Sequence, residues 1–187
     1  MWCYEDVGGK ATPYFKRKHD TILFYQKTNE RTPFNIQNKS LSESTIKRFE
    51  PYFDEEGKIT YKRLKETNPG VFKKLKGIPK DLNGVWLDKL KGQPLSDWWT
   101  DISAIKRGFR ESIGYPTQKP ELLLERIINS STTEGDIVAD FFMGGGTTCA
   151  VAQKLNRRFI GCDISRVASS VTLNRLIKDA EEISGRT

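Results

Sequence analysis

Residues 136–165 constrain the fold more than any other stretch, because they contain two strand-like runs joined by a glycine turn and a helix. A short apolar run begins at Ile137 and is interrupted by three consecutive glycines at 144–146. A helical segment begins at Thr147, with an apolar stripe at Val151, Ala152 and Leu155, and a second apolar run ends at Asp163. This order predicts a βαβ unit, and therefore two parallel strands.

The glycine turn lies where a nucleotide could bind. Glycines let the backbone approach a ligand, and the first N–H groups of the following helix are unpaired. Asp163 lies 19 residues after Gly144 at the end of the second strand, where a carboxylate can accept hydrogen bonds from ribose hydroxyls. A dinucleotide fingerprint would need a third glycine in place of Cys149, and a P-loop would need a lysine after Gly146. The alternative is a tight strand-to-helix connection with an ordinary surface aspartate.

Two motifs resemble those of the DNA amino-methyltransferases, the family that methylates adenine N6 or cytosine N4. Residues 140–148, DFFMGGGTT, resemble its S-adenosylmethionine-binding motif. Residues 115–120, YPTQKP, resemble the segment that precedes this motif in one circular arrangement of the family. The two motifs in this order, about 20 residues apart, are more specific than either motif alone. The resemblance covers residues 19–176, and Phe141 departs from it because the family usually has proline there.

The resemblance implies part of a Rossmann-like α/β methyltransferase fold with three αβα layers, and S-adenosylmethionine as the cofactor. It also implies DNA methylation of the bacterial restriction-modification type. The cofactor site would be formed by the PTQKP segment, the glycine turn and the end of the second strand. The predicted cofactor-binding residues are Thr117, Gln118, Lys119, Asp140, Phe141, Phe142, Gly144, Gly146, Thr147, Thr148 and Asp163.

No catalytic residue is predicted in this chain. The family's catalytic motif, Asp/Asn/Ser-Pro-Pro-Tyr/Phe/Trp, lies N-terminal to the cofactor motif in this arrangement, and the 187 residues contain no Pro-Pro dipeptide. That motif accepts the amino proton and stacks on the flipped base. We therefore expect the C-terminal half of a methyltransferase, inactive alone, whose catalytic half comes from a missing segment or a second polypeptide. The alternatives are a non-catalytic module that binds cofactor or DNA, and an RNA or protein methyltransferase, which PTQKP disfavours.

Three segments are predicted along the chain. Residues 1–30 would end the catalytic half, with a strand at 21–25 that pairs into the sheet of the βαβ unit. Residues 31–110 would form a target-recognition insert of short strands and turns with few long helices, because turn residues recur throughout it. Residues 111–187 would form the cofactor-binding part. Its last helix, predicted over 166–183, would cover the sheet with a face containing Val167, Val171, Asn174 and Ile177.

The predicted insert holds all of the net charge. It contains 17 Lys/Arg and 10 Asp/Glu, whereas the remaining residues contain 14 of each. Such a basic cluster is typical of proteins that bind a phosphate backbone, although a solvated lysine-rich face has the same composition. The family places its target-recognition region here, which favours double-stranded DNA as the partner. The predicted DNA-binding residues are Lys58, Lys62, Arg63, Lys65, Lys73, Lys74, Lys76 and Lys80.

Composition argues against several other classes of protein. There is no apolar run near 18 residues and no signal-type N-terminus, so we expect a cytoplasmic protein without a membrane segment. Cys3, Cys149 and Cys162 lack paired spacing, which argues against a disulfide framework or a zinc site. His19 has no suitably spaced metal-ligating partner, and no metal site is predicted.

Overall fold

The computed structural model describes residues 1–3, 18–28, 34–106 and 108–185. The chain divides into a larger unit, Met1–Asn35 with Ser96–Thr187, and a smaller unit, Ile36–Leu95. Much of the predicted first segment, including residues 4–17, lies outside the described residues. The division into three functional segments therefore stays a prediction.

The regular elements are short except for two helices of the larger unit. In chain order they are β1 (Trp2–Cys3), β2 (His19–Asp20), β3 (Asn38–Lys39), α1 (Glu43–Phe49), a 3-10 helix (Glu50–Tyr52), β4 (Lys58–Thr60), α2 (Tyr61–Thr67), α3 (Pro69–Phe72), β5 (Val85–Asp88), β6 (Gln93–Pro94), α4 (Glu121–Ser131), β7 (Ile137–Asp140), α5 (Thr147–Lys154), β8 (Arg158–Gly161) and α6 (Arg166–Ile183).

Strands β7 and β8 of the larger unit are parallel and are connected through α5, which confirms the predicted βαβ unit and the α/β class. The register places Val138 beside Phe159. Both side chains pack against a buried cluster from α4 and α5 that contains Ile128, Val151 and Ala152. The pair of strands with its helices is a part of a Rossmann-like fold.

The opposite face of β7 and β8 is exposed. Ile137 is 54% exposed and Ile160 is 53% exposed. Successive side chains of a strand point to opposite faces of the sheet, and a face that carries apolar side chains is normally covered. Within the described ranges, no helix packs on this face. The third layer of the predicted αβα arrangement is therefore not seen among these residues.

The predicted strand at 21–25 is wrong. Residues 21–26 have no regular secondary structure, and the side chains of Leu23 and Tyr25 are 69% and 83% exposed. The neighbouring strand β2 pairs antiparallel with β1, in a sheet separate from β7 and β8. Strand propensity reflects packing against neighbouring strands, and in the described part of the chain this run has no strand to pair with.

Helix α6 has the predicted bounds but buries a different face from the predicted one. Val167 is 65% exposed and Ile177 is 50% exposed, and α6 packs against α5. The side chains that α6 buries are mainly polar, because its neighbours are the carbonyls and charged side chains at the starts of α4 and α5. The buried residues of α6 are Ala168, Thr172, Arg175 and Asp179.

The smaller unit contains short strands and helices of at most seven residues, as predicted. Two antiparallel pairs, β3 with β6 and β4 with β5, form its sheets. Polar caps start the helices: Ser42 accepts the N–H of Thr45 at α1, and Thr60 accepts the N–H of Arg63 at α2. The core of this unit consists of Phe49, Ile59 and Leu64, with partly buried aromatic and aliphatic side chains around them.

Candidate functional site

Asp163 is hydrogen bonded to the glycine turn that follows β7. The N–H of Gly144 donates to Asp163 Oδ2 at 2.9 Å, and the N–H of Ser165 donates to Oδ1 at 2.8 Å. These two backbone donors, Ser165 first, hold the pKa of the Asp163 carboxyl below its usual range. Each carboxylate oxygen keeps a further lone pair. The carboxylate is therefore fixed in place, charged and still able to accept hydrogen bonds from a ligand.

Asp140, at the end of β7, braces the same turn. Its Oδ1 accepts the N–H of Phe142 at 3.0 Å, and its Oδ2 accepts the hydroxyl of Thr148 at 2.6 Å. The second bond joins the end of β7 to the first turn of α5. Both oxygens of this predicted cofactor residue are thus bonded within the motif, so Asp140 shapes the turn.

Protein atoms fill the space beside the glycines. Gly144 and Gly146 have φ angles of 51° and 70°, in the left-handed region that favours glycine. A Cβ on Gly146 would lie 2.4 Å from Thr172 Cγ2, and a Cβ on Gly145 would lie 2.9 Å from Ile113 Cδ1. The sequence predicted that these glycines make room for a ligand. In the structure these glycines make room for α6 and for the segment before α4, and room for a ligand stays a prediction.

The PTQKP segment lies against the same turn. The Tyr115 ring would be 3.1 Å from a Cβ on Gly144. The carbonyl of Lys119 accepts the Thr147 hydroxyl at 3.2 Å, which connects the end of the segment to the start of α5. The structure therefore brings together the two motifs that the sequence identified separately.

Within this segment, Gln118 and Thr117 have different environments. The Gln118 side chain is used by the backbone, since its Oε1 accepts the N–H of Ile113 at 3.0 Å and its Nε2 donates to the carbonyl of Glu111 at 2.7 Å. Thr117 is exposed and has a φ angle of 64°, which is unusual for a β-branched residue. Strain of this kind is concentrated at functional sites.

A pocket of about 470 Å³ opens beside this segment. Thr117, Gln118 and Lys119 line it together with Trp2 and Asp20. Its lining does not include the glycine turn or Asp163. The predicted cofactor residues therefore form two adjoining groups, one in this pocket and one at the ends of β7 and β8.

Apolar side chains are exposed near the carboxyl ends of the two strands. Phe141 is 63% exposed and Phe142 is 91% exposed, at the start of the turn after β7. Ile164, which follows Asp163, is fully exposed. Both phenylalanines are among the predicted cofactor-binding residues, whereas Ile164 is not. Its position in the sequence could have indicated it, since Ile164 directly follows Asp163, the residue predicted to bind the ribose.

Two residues that pack against the motif were not predicted from the sequence, Arg175 and Gly161. Arg175 on α6 reaches the glycine turn, and no spacing rule based on apolar residues would select it. Gly161 on β8 faces Met143 and Cys149, and a Cβ there would lie 2.6 Å from Met143 Sδ. A glycine within a predicted strand was the available signal for that close approach.

The eight predicted DNA-binding residues of the smaller unit fall into two groups. Six are exposed, and their side chains have no ion pair or hydrogen bond with any described residue. These six, called the free lysines below, are Lys62, Lys65, Lys73, Lys74, Lys76 and Lys80.

The other two basic residues have partners within the smaller unit. Lys58 pairs with Glu56 at 2.7 Å, and this hydrogen bond raises the pKa of the lysine. Arg63 donates from Nε to the carbonyl of Tyr52 at 2.6 Å and from Nη2 to that of Phe53 at 3.2 Å. Arg63 therefore holds the chain after α1 in place, and it has fewer donors left for a phosphate.

No group of three or more His, Cys, Asp and Glu side chains that could hold a metal ion occurs in the described ranges. The three cysteines are free. No described helix is both long and apolar enough to span a bilayer.

The family model for N6/N4 methyltransferases, described as DNA methylase, matches residues 1–173. The chain therefore belongs to the N6/N4 DNA methylase family.

Individual relatives match parts of the chain. It is 46% identical over 90 residues to the type II methyltransferase M2.DpnII of Streptococcus pneumoniae, covering 48% of this chain and 33% of that protein. It is 33% identical over 169 residues to the type II methyltransferase M1.MboII of Moraxella bovis, covering 88% and 56%. Among solved structures, the M1.HpyAVI–SAM complex is 42% identical to this chain with a TM-score of 0.33. The match covers 33% of this chain and 32% of that chain. The chain thus spans about a third to somewhat over half of these curated relatives.

Proposed function

We propose that this chain is the cofactor- and DNA-binding part of a modification methyltransferase that transfers a methyl group from S-adenosylmethionine to adenine N6 or cytosine N4 in double-stranded DNA. The observation that carries the proposal is the Asp163 carboxylate held on the N–H of Gly144 at 2.9 Å, at the carboxyl ends of two parallel strands. Open α/β sheets bind their ligands there. Family membership supports the type of reaction, and two relatives named as type II methyltransferases support a restriction-modification role.

The residues at this site suit S-adenosylmethionine, which supplies an activated methyl group when bound. Asp163 has spare lone pairs for ribose hydroxyls, and the exposed rings of Phe141 and Phe142 offer apolar contact for a base. Residues 117–119 would contact the methionine end. Backbone and hydroxyl groups of Gly144, Gly146, Thr147 and Thr148 would complete the site.

Calorimetry with two matched aspartate variants tests the cofactor site. Asp136 lies before β7, and its Oδ2 accepts two donors of Thr133, at 2.7 and 3.0 Å, much as Asp163 accepts backbone donors after β8. We expect Asp163→Asn to weaken S-adenosylmethionine binding by about ten-fold or more, since it removes a charged acceptor. Asp136→Asn should leave the affinity unchanged. Equal affinities for the two variants would remove Asp163 from the site.

For DNA, we propose that the free lysines provide the phosphate contacts. Their side chains are exposed and unpaired among the described residues. An accessible lysine of this kind can neutralise a DNA phosphate and release the counterion condensed on it. Lys58 and Arg63 would contribute less, because each already has a partner in the smaller unit.

The acceptor for the amino proton is proposed to lie outside these 187 residues. Two carboxylates would be the first candidates within them, but both are bonded elsewhere. Asp101 accepts two hydrogen bonds from Arg126, at 3.0 and 2.6 Å, and Asp140 is bonded to Thr148 and Phe142. The exposed sheet face around Ile137 and Ile160 is a surface on which a second polypeptide carrying the catalytic half could complete the domain.

Incorporation of tritiated methyl groups into unmethylated DNA tests this part of the proposal. The 187 residues alone should transfer none, and adding a polypeptide that carries a Pro-Pro-Tyr-type motif should restore transfer. Turnover by the chain alone would refute the proposal. Asp101→Asn and Asp140→Asn would then identify the acceptor.

A further inference from the structure

Arg175 lies on α6, outside both sequence motifs, yet its guanidinium group contacts both of them. Its Nη1 donates to the carbonyl of Gly145 and to the Thr147 hydroxyl, each at 3.2 Å. Its Nη2 donates to Glu121 Oε1 at 2.6 Å. Arg175 is only 8% exposed, so these contacts replace water around a buried cation.

The contacts of Arg175 continue into the PTQKP segment. The Thr147 hydroxyl accepts from Arg175 and donates to the carbonyl of Lys119 at 3.2 Å, which uses its single donor. Glu121, the first residue of α4, directly follows that segment. One guanidinium group therefore connects the glycine turn, the start of α5 and the start of α4.

The ion pairs around Arg175 do not depend on Arg175 alone. Lys154 Nζ lies 2.9 Å from Glu121 Oε1 and 3.4 Å from Asp179 Oδ2. Burial favours a higher pKa for the Glu121 carboxyl, but the hydrogen bonds from Lys154 and Arg175 outweigh it and lower the pKa. Glu121 is thus charged at neutral pH and has a second cation beside it. Among the described residues, Lys154 makes hydrogen bonds and ion pairs with Glu121 and Asp179 but none with the glycine turn, which makes it a control for Arg175.

Three consecutive glycines have unusual conformational freedom, and a turn made of them needs anchors from outside. Thr172 provides one by donating to the carbonyl of Gly144 at 3.2 Å, and Arg175 provides the next at Gly145. Both anchors come from the polar buried face of α6. This gives a reason for the burial of Thr172 and Arg175 where the sequence pattern predicted an apolar face.

We propose that Arg175 is a positioning residue, which holds the Gly145 carbonyl and the Thr147 hydroxyl so that the glycine turn keeps its cofactor-binding conformation against the PTQKP segment. This inference rests on the proposed function, because it assigns Arg175 to the same cofactor site. Arg175 itself need not touch the cofactor.

The test compares Arg175→Met with Lys154→Met in the 187-residue chain. Each variant removes one cation of the same cluster, and each should lower the thermal midpoint. Only Arg175→Met should weaken S-adenosylmethionine binding, by about ten-fold, since charged hydrogen bonds to the turn are lost. Arg175→Lys keeps a charge for Glu121 but lacks the planar fork, and we expect intermediate affinity. Parent-like binding by Arg175→Met, or equal weakening by Lys154→Met, would overturn the inference.

Amide hydrogen exchange gives a readout that does not require the cofactor. Amides of residues 144–147 should exchange faster in Arg175→Met than in the parent, and at the parent rate in Lys154→Met. If the parent bound no S-adenosylmethionine, the proposed function would fail, and this comparison would still decide whether Arg175 holds the turn. If Arg175→Met did not fold, Thr147→Val would replace it, because it breaks the Arg175–Thr147–Lys119 connection and leaves the ion pairs intact. Unchanged exchange in Thr147→Val would then overturn the inference.

Discussion

The glycine turn of the larger unit and the basic cluster of the smaller unit use polar side chains in opposite ways. Around the turn, Asp140, Asp163 and Arg175 each have at least two hydrogen-bonding partners in the protein. In the smaller unit, the free lysines are exposed, and the described structure gives their side chains no partner.

The difference corresponds to the two kinds of recognition proposed for these regions. A small ligand is bound best by groups that are fixed before it arrives. The entropic cost of ordering these groups is met during folding and does not weaken binding. A phosphate backbone is bound largely through release of counterions, which needs accessible charge more than fixed geometry. The comparison therefore separates variants that should disturb structure from variants that should disturb only long-range electrostatics.

The largest effect is expected from Gly146→Ala. The new Cβ would lie 2.4 Å from Thr172 Cγ2, at a φ angle of 70°. Left-handed backbone costs an alanine about 1 to 2 kcal/mol, and overpacking adds about 1 to 3 kcal/mol. We expect the free energy of unfolding to fall by about 2 to 5 kcal/mol in denaturant titrations, with loss of S-adenosylmethionine binding.

Gly114→Ala is the matched control for this variant. Gly114 also has a positive φ angle, of 73°, but its Cβ would have nothing within 4 Å. Only the backbone cost of about 1 to 2 kcal/mol should appear. Equal losses in the two variants would show that contact with Thr172 is unimportant, and the turn would then be less tightly fixed than the distances indicate.

The next effect concerns DNA and should leave folding unchanged. Replacing Lys73, Lys74 and Lys76 with glutamine should reduce the slope of log K against log salt by about 0.9 for each lost phosphate contact, or about 2.7 in total. Fluorescence anisotropy with a duplex at several salt concentrations measures this slope. The thermal midpoint should stay within about a degree of the parent, because surface substitutions of this kind cost little.

Two single variants sharpen the same comparison. Lys58→Gln should change the salt slope less than any free lysine, since Lys58 already pairs with Glu56 at 2.7 Å. Arg63→Met should instead lower the thermal midpoint, because two backbone carbonyls lose their donor. An unchanged slope in the triple variant would identify the cluster as an ordinary solvated surface.

The sequence predicted the parts of the larger unit that depend on local pattern. The turn between Asp140 and Thr147 and the bounds of α6 follow from the order of apolar runs and glycines. A carboxylate at the end of β8 beside the turn follows from the geometry of parallel strands. These features depend on residues close in sequence, so the sequence predicts them well.

Features that depend on distant partners were not predictable in the same way. Residues 21–25 have the composition of a strand, but a strand also needs a neighbouring strand. The buried face of α6 is decided by carbonyls of the glycine turn and by Glu121, so Arg175 is preferred there over an apolar residue. Likewise, nothing in the composition of residues 58–80 distinguishes Arg63, which bonds two carbonyls, from the free lysines.

A smaller effect should appear as a dependence of stability on pH. The lowered pKa of Glu121 means that its ion pairs stabilise the fold above the ordinary value of 4.5, and that this contribution is lost as the pH falls through the lower folded-state pKa. Glu121→Gln should therefore destabilise the chain at pH 7 by about 1 kcal/mol, allowing for partial exposure. The difference from the parent should shrink as the pH falls below 4.5.

Glu125→Gln serves as the control for the pH experiment. Glu125 is an exposed residue of the same helix, α4, and its side chain has no ion pair with another described residue. Its substitution should change the unfolding free energy little at either pH. A difference between parent and Glu121→Gln that stayed constant with pH would mean that the ion pairs with Lys154 and Arg175 contribute nothing measurable.

The smallest effect, and the one expected to have the opposite sign, is at Thr117. Its φ angle of 64° is strained for a β-branched residue, so Thr117→Gly should relieve strain of about 1 to 2 kcal/mol. Glycine also gives the unfolded chain more freedom, which removes about 0.5 to 1 kcal/mol of that gain. A net stabilisation between about 0 and 1.5 kcal/mol should therefore raise the thermal midpoint. Asn156→Gly, at a φ angle of 57°, is the control, because asparagine tolerates this conformation and its amide bonds Glu134. No gain is expected there.

The binding measurement decides what the strain at Thr117 does. If Thr117→Gly stabilises the chain and weakens S-adenosylmethionine binding, the strained backbone is part of the cofactor site. If binding is unchanged, the strain at Thr117 serves only the packing of the PTQKP segment against the turn.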